Sequence, residues 1–375
     1  MKTKGAILRG AGRDWEIEEF DLGDPIAGEV QVRIAASGLC HSDHHYRSGD
    51  RTPPFFPMLG GHEGSGVVTK VGPGVTTVEE GDHVVLAFTP ACGICGPCAR
   101  GMQHLCDKGA AIGTGRAIAD GSFRTTSGGS PVYAMALVGA FAPYVTVHSA
   151  AVIKIEKDIP LNRAALLGCG VCTGWGSATE AGGSRVGDTV VVVGCGGIGI
   201  NAVQGAAHSG ARFVIAIDPV EFKREQALAF GATHAFSSMA EAADRIRDLT
   251  WGQMSHVTVL TVGVMDGEMI QPALDLTAKG GTVVVTAVGP TDAGKTSIDL
   301  GMLSMLEKRI QGTIFGGASP RTQVPKLLNL YRSGSLKLDE LVTRTYRLED
   351  INQGYDDMLS GKNLRGVIEF SDADY

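Results

Sequence analysis

The sequence predicts an α/β protein in two domains, a β-rich one followed by a doubly wound parallel sheet, and three observations carry that prediction. At 375 residues, with 43% hydrophobic and 19% charged residues, the chain exceeds one ordinary core and suits two. From Met1 to about Val85 it alternates short β segments with Gly and Pro breaks. Further on, Thr189-Val-Val-Val-Val-Gly-Cys-Gly-Gly-Ile-Gly199 reads as a buried strand running into a glycine-rich turn and then a helix.

The β segments fall at 28–34, 64–71 and 82–87, the pattern of a partly open, barrel-like domain. Between the first two lies Gly38-Leu-Cys-His-Ser-Asp-His-His45, a polar segment holding a thiol, a hydroxyl, a carboxylate and three imidazoles. In Leu59-Gly-Gly-His-Glu-Gly64 the flanking glycines leave His62 and Glu63 free to point into a site. Cys92-Gly-Ile-Cys-Gly-Pro-Cys98 with Cys106 is sharper, because four thiols so close in sequence can close a tetrahedral S₄ metal site. A Cys₄ set leaves no position for substrate, so Cys92, Cys95, Cys98 and Cys106 are expected to be structural.

The stretch 109–143 is poorly patterned. A short helix at 161–167 precedes Gly168-Cys-Gly170, which puts Cys169 in a glycine-flanked corner ahead of the nucleotide-type segment. There Gly194, Gly196 and Gly199 have the G-x-G-x-x-G spacing that lets a backbone approach a pyrophosphate. A helix at 200–208 and a strand at 213–217 complete a βαβ unit closed by Asp218. A carboxylate at that point accepts from a ribose 2′-hydroxyl and repels a 2′-phosphate, so the reading is NAD rather than NADP. Strands at 257–262 and 281–286 continue the sheet. Helices at 324–333 and 348–360 and a strand at 366–370 follow.

A net charge of −7 argues against a nucleic-acid partner. The apolar run 132–147 is interrupted by Gly139 and Pro143, which disfavours a membrane span. The opening Met1-Lys-Thr-Lys-Gly-Ala-Ile-Leu8 lacks a signal-peptide pattern, so a cytoplasmic protein is expected. In that compartment eight cysteines are ligands, catalysts or filler rather than a disulfide framework.

Taken in order, Cys40-His-Ser-Asp43, Gly61-His-Glu63, the four-cysteine run, Gly168-Cys-Gly170 and the glycine turn resemble the zinc-dependent alcohol dehydrogenases of the medium-chain dehydrogenase/reductase superfamily. The resemblance runs from about Lys4 to Phe370. It implies a GroES-like catalytic domain at 1–170 carrying a zinc lobe at 90–108, a Rossmann NAD domain at 171–313, and a return to the catalytic domain at 314–375. It further implies two zinc ions per chain, one structural and one catalytic on Cys40, His62 and Cys169, whose open position suits a Lewis acid acting on an alcohol. Asp43 would orient His62, and Glu63 would lie beside the metal. Ser42 would take the alcohol proton and pass it through the nicotinamide ribose to a solvent-facing His45, while Phe88 would line the substrate pocket. Gly197, Ile198 and Thr173 would meet the cofactor, with Lys223 near the adenine ribose and Arg365 and His41 toward the pyrophosphate. His41 departs from the arginine common at that position. Cys172 and Cys195 read as small buried thiols.

The implied activity is hydride transfer between a primary alcohol or aldehyde and NAD(H) in a homodimer or homotetramer. The run from Asp218 to Glu225 resembles an actinobacterial subgroup that uses artificial acceptors with a retained nicotinamide, and a sister group oxidising formaldehyde–thiol adducts is the alternative. A zinc-free reductase on this scaffold would not need Cys40, His62 and Cys169. A binding protein built on the Cys₄ lobe would leave that second constellation idle.

Overall fold

The computed structural model describes residues 1–290 and 295–375. The chain divides into two compact units, Met1–Cys169 with Ser319–Tyr375, and Gly170–Ala318. It returns to the first unit at Ser319 rather than near 314, because Phe315–Gly317 packs on the helix Gly170–Gly176 of the second unit. The approach is close: a Cβ on Gly316 would come within 2.7 Å of Gly176 Cα.

Strand Glu29–Gly38 is the spine of the first unit. It pairs antiparallel with Gly64–Val71, Tyr144–His148 and Arg365–Glu369 in a seven-stranded sheet that His83–Leu86, Val152–Ile155 and Val342–Tyr346 complete. Val30, Val32, Ile34, Val84 and Leu86 are fully buried in its core, each contributing about 1.5–3 kcal/mol. A second, six-stranded sheet is built on Lys2–Leu8 paired with Glu16–Leu22. The sequence hides these two strands, because their exposed positions carry charge that is paired across the ladder, as in Lys2–Glu19 at 2.6 Å. In 109–143 the strands Thr125–Ser127, Ser130–Pro131 and Tyr133–Ala134 are too short to show a period of two.

Residues 38–45, read in the sequence as a polar segment, end the spine strand and begin a helix, His41–Ser48. Gly49 stops that helix at φ +90°, a left-handed conformation that glycine adopts without a Cβ penalty. The helix carries Asp43 and His45 on its buried side.

The second unit is a six-stranded, all-parallel sheet. Its spatial order is His234–Phe236, Phe213–Ile217, Thr189–Val193, Ser255–Leu260, Thr277–Val285 and Arg309–Gly312. In sequence terms the order reverses beside Thr189–Val193, the arrangement that opens a ligand crevice at the strand's carboxyl end in doubly wound sheets. Every residue of Thr189–Val193 is buried, which is why four consecutive valines belong there. Helix Gly197–His208 follows directly. No helix among the described residues is long and apolar enough to cross a membrane.

Candidate active site and cofactor cradle

Three separate segments of the first unit converge on one buried point. Cys40 lies between the end of the spine strand at Gly38 and the helix His41–Ser48, His62 and Glu63 lie between Gly61 and Gly64, and Cys169 follows the short turn Ala165–Gly168. All four side chains are buried, and each offers a ligand atom within 4.8 Å of the others. Glycine makes room for this crowding. A Cβ on Gly38 would stand 2.0 Å from Glu63 Oε2. Asp43 Oδ2 is 3.1 Å from His62 Nδ1, while its other oxygen accepts from the Gly61 N–H at 2.9 Å. The imidazole is thus oriented by a carboxylate that is itself fixed. Phe88 sets its ring edge-on to His62, with centroids 5.7 Å apart, and Cys40 Sγ lies 3.6 Å from Ser42 Oγ.

The electrostatics are those of donors sharing too few protons. A hydrogen bond with Cys169, aided by His62, holds the Cys40 thiol well below its usual range despite burial. The same hydrogen bond and burial push Cys169 well above it. Burial works against a charged His62, but Asp43 and Cys40 overcome it and raise the ring. Two sulfurs and an imidazole in this arrangement fit a zinc ion, a borderline-soft cation with a tetrahedral preference. Burial lifts the Glu63 carboxyl to about 7 in spite of Arg365.

Two site residues have surroundings that the sequence did not show. Arg365 is 4% exposed; its guanidinium pairs with Glu63 and donates to Leu39 O at 3.2 Å. Its charge sits against a buried carboxylate. His45, expected to face solvent, does not, since only 3% of it is exposed and its Nδ1 lies 3.0 Å from Asp50 Oδ2. The eight-residue helix turns the ring inward. His41 stacks edge-on with His44 and His45 at 5.2 and 5.0 Å. Burial, then the neighbouring imidazoles, bring His41 down to about 4, so it is a neutral ring near pH 7. Sequence reasoning missed the pairings of Asp50 and Arg365, because each joins residues whose spacing carries no recognised pattern.

The four-thiol lobe is the second cluster. Cys92, Cys95, Cys98 and Cys106 also place their sulfurs within 4.8 Å of one another, with Cys92–Cys98 at 3.9 Å and Cys95–Cys106 at 3.8 Å. Backbone N–H groups of Cys92 and Asp107 donate to Cys106 and Cys95 sulfur at 3.4 and 3.5 Å. Against burial, backbone hydrogen bonds around Ile94 and Cys95 bring Cys92 down to about 6, while burial sends Cys98 up to about 12. A cation bound to all four would remove that conflict.

In the second unit the glycine turn is built as its spacing implies. Gly194 has φ +90°, and a Cβ on Gly199 would stand 1.8 Å from Gly194 O, so the helix can start this close to the strand only with glycine there. Thr261 Oγ1 donates to Gly194 O at 2.7 Å. Asp218 is tied to the turn: its Oδ2 accepts from Cys195 N–H at 2.8 Å and its Oδ1 from Val220 N–H at 2.9 Å. Gly196 and Gly197 open the helix. Ile198 meets the Thr173 helix, because a Cβ on Gly174 would lie 2.0 Å from Ile198 O. Lys223 is half-buried on Glu221–Ala229. Burial raises the Cys195 thiol to about 12, and Cys172 is fully buried.

A doubly wound sheet with a glycine cradle in one unit, and a buried thiol–imidazole cluster and a four-thiol lobe in the other, define a zinc-binding dehydrogenase that uses a nicotinamide cofactor. Comparison with known proteins gives the family. Residues 26–157 match the alcohol dehydrogenase GroES-like domain and residues 197–333 the zinc-binding dehydrogenase domain. The chain is 51% identical over 371 residues to an NDMA-dependent alcohol dehydrogenase of Amycolatopsis methanolica, covering 99% of this chain and 100% of that one. It is 50% identical over 374 residues to alcohol dehydrogenase B of Mycobacterium tuberculosis, covering 100% of both. Benzyl alcohol dehydrogenase of Acinetobacter calcoaceticus superposes with a TM-score of 0.90 at 28% identity, over 99% of this chain and 100% of that one. The chain belongs to the zinc-binding alcohol dehydrogenases, and it is an oxidoreductase.

Proposed function

We propose that the protein oxidises a primary alcohol to its aldehyde with NAD, the carbinol losing a hydride to the cofactor and a proton to the protein. The observation that carries this is the convergence of Cys40, His62 and Cys169 from distant segments onto one buried point. When bound, zinc supplies Lewis acidity toward the hydroxyl and the nicotinamide supplies the hydride acceptor. Cys40, His62 and Cys169 would hold the metal and Asp43 would keep the imidazole in place. Phe88 forms an apolar wall beside it. Ser42 receives the hydroxyl proton and His45 takes it onward. Arg365 compensates Glu63.

On the cofactor side, the N-terminus of Gly197–His208 suits a pyrophosphate. Asp218, held by two backbone donors, suits a ribose 2′-hydroxyl, with Thr173, Ile198 and Lys223 nearby in the same unit. Asp218→Ala is expected to weaken NAD by about 1–3 kcal/mol and relax rejection of NADP, checked by the Kd of each; a wild-type preference for NADP would overturn the NAD assignment. Two zinc ions per chain are expected by metal analysis. The similarity to an NDMA-dependent enzyme supports a retained nicotinamide, and finding none after denaturing purified protein would end that reading. A panel of primary alcohols and aldehydes, with and without an artificial acceptor, tests substrate class. A homo-oligomer is supported by the edge strand Arg309–Gly312, exposed along its length, and by exposed Leu300 and Met305 in the helix that precedes it.

A further inference from the structure

We propose that Asp50 is a positioning residue for proton exit, setting which nitrogen of His45 is basic and giving the buried ring its outlet to water. This rests on the Ser42–His45 relay proposed above. The His45 side chain is 4% exposed and that of Asp50 26%, with Nδ1 and Oδ2 3.0 Å apart. A ring so enclosed cannot hand a proton to bulk water by itself, whereas the carboxylate reaches solvent.

The contact also decides the tautomer. An ionised carboxylate only accepts hydrogen bonds, so the proton of a neutral His45 sits on Nδ1 and Nε2 keeps its lone pair. The Asp50 carboxyl is held below its usual range by the His45 hydrogen bond and then by Ser48, which keeps it an acceptor. The loop is braced for the purpose: Arg51 N–H and Ser48 Oγ both donate to His45 O, at 3.0 and 3.3 Å, and Asp50 N–H donates to Ser48 Oγ at 3.4 Å. His41 and His44 sit close to Asp50 and His45, and burial disfavours a charge on both; Arg47 on the same helix and Arg51 next to Asp50 are cations. The carboxylate is therefore the partner that can stabilise a charged His45 ring, the logic of an acid behind a catalytic imidazole.

One proton moves and no electron pair changes hands. The hydroxyl loses it, His45 Nε2 gains one through Ser42, the Nδ1 proton leaves through Asp50 to water, and tautomer exchange through the same carboxylate and water resets the ring.

The test is stopped-flow proton release, read with a pH indicator during a single turnover of alcohol oxidation by the metal-loaded enzyme, together with KM and metal content. Asp50→Asn is expected to slow proton release about tenfold with KM and metal content unchanged, and added imidazole should restore most of the rate. Asp50→Glu should stay near wild type, and Asp50→Asn should add nothing in a His45→Gln background. A slow Asp50→Asn that imidazole does not rescue, beside a His45→Gln that it does rescue, overturns the role of Asp50 while the relay stands. A His45→Gln that releases its proton at the wild-type rate overturns the relay and this inference with it. Should Asp50→Asn fold poorly, Asp50→Ser answers the same rescue question.

Discussion

The two thiol clusters of the first unit are made of nearly the same atoms and built in opposite ways. Cys92, Cys95, Cys98 and Cys106 come from one short stretch, and two of the four are only partly buried. Their sulfurs are held by the backbone, through the N–H groups of Cys92 and Asp107. Cys40, His62 and Cys169 come from distant parts of the chain, are buried throughout, and are oriented by side chains, with Asp43 on His62 and Arg365 on Glu63. A local, closed set can be completed by a few turns of backbone, which suits a structural site that pins a lobe. A set assembled from remote segments needs the whole fold to form first, and it mixes ligand types so that one position can be left for a substrate.

The largest effect should come from breaking the assembled cluster. Cys169→Ser is expected to lower turnover about a thousandfold or more, since the Lewis acid contributes several kcal/mol to the barrier and each ~1.4 kcal/mol is a factor of ten. The fold should survive, checked by circular dichroism and by one metal ion retained in the lobe. Near-wild-type activity in this variant would remove the catalytic assignment.

Cys95→Ser should act on the other side of the comparison. Structural zinc contributes folding free energy outright, so losing one of four thiolates is expected to cost on the order of 3 kcal/mol and to lower solubility. Freshly folded protein should still turn over. A variant with wild-type thermal stability and one fewer metal ion would show that the lobe needs no cation to hold its shape.

The same contrast explains what could be read from the sequence. The lobe was legible because its ligands are neighbours and metal chemistry imposes their spacing. The glycine turn was legible for the same reason, since Gly194 and Gly199 answer a local steric demand that no other residue meets. The assembled cluster was not legible from spacing, and only resemblance joined Cys40 to Cys169. Even resemblance misplaced His45, whose side-chain direction it took as solvent-facing. His45 turns inward because residues 41–48 coil into a helix, and the pairing of Arg365 with Glu63, which gives a buried carboxylate a counter-charge, had no signal in the spacing. Charged, exposed strands such as Glu16–Leu22 were hidden by their ion pairs.

The smallest effect separates the two designs most cleanly, and it comes from a pair of aspartates, one beside each cluster. Asp43 orients a ligand with its carboxylate, so Asp43→Asn keeps the shape but removes the charge facing His62 Nδ1. Loss of such a partner costs about 10–100-fold in metal affinity, so the variant should lose its buried metal to a chelator sooner than wild type. Asp107 supports its cluster with a backbone N–H, which Asp107→Ala retains, and its side chain is exposed. That substitution should leave metal retention by the lobe unchanged, with stability within about 0.5 kcal/mol of wild type, as for most surface changes. The comparison is read by following metal release from both sites under one chelator. Equal acceleration in the two variants would mean that both clusters depend on nearby carboxylate charge, and the distinction between a backbone-held lobe and a side-chain-held site would fail.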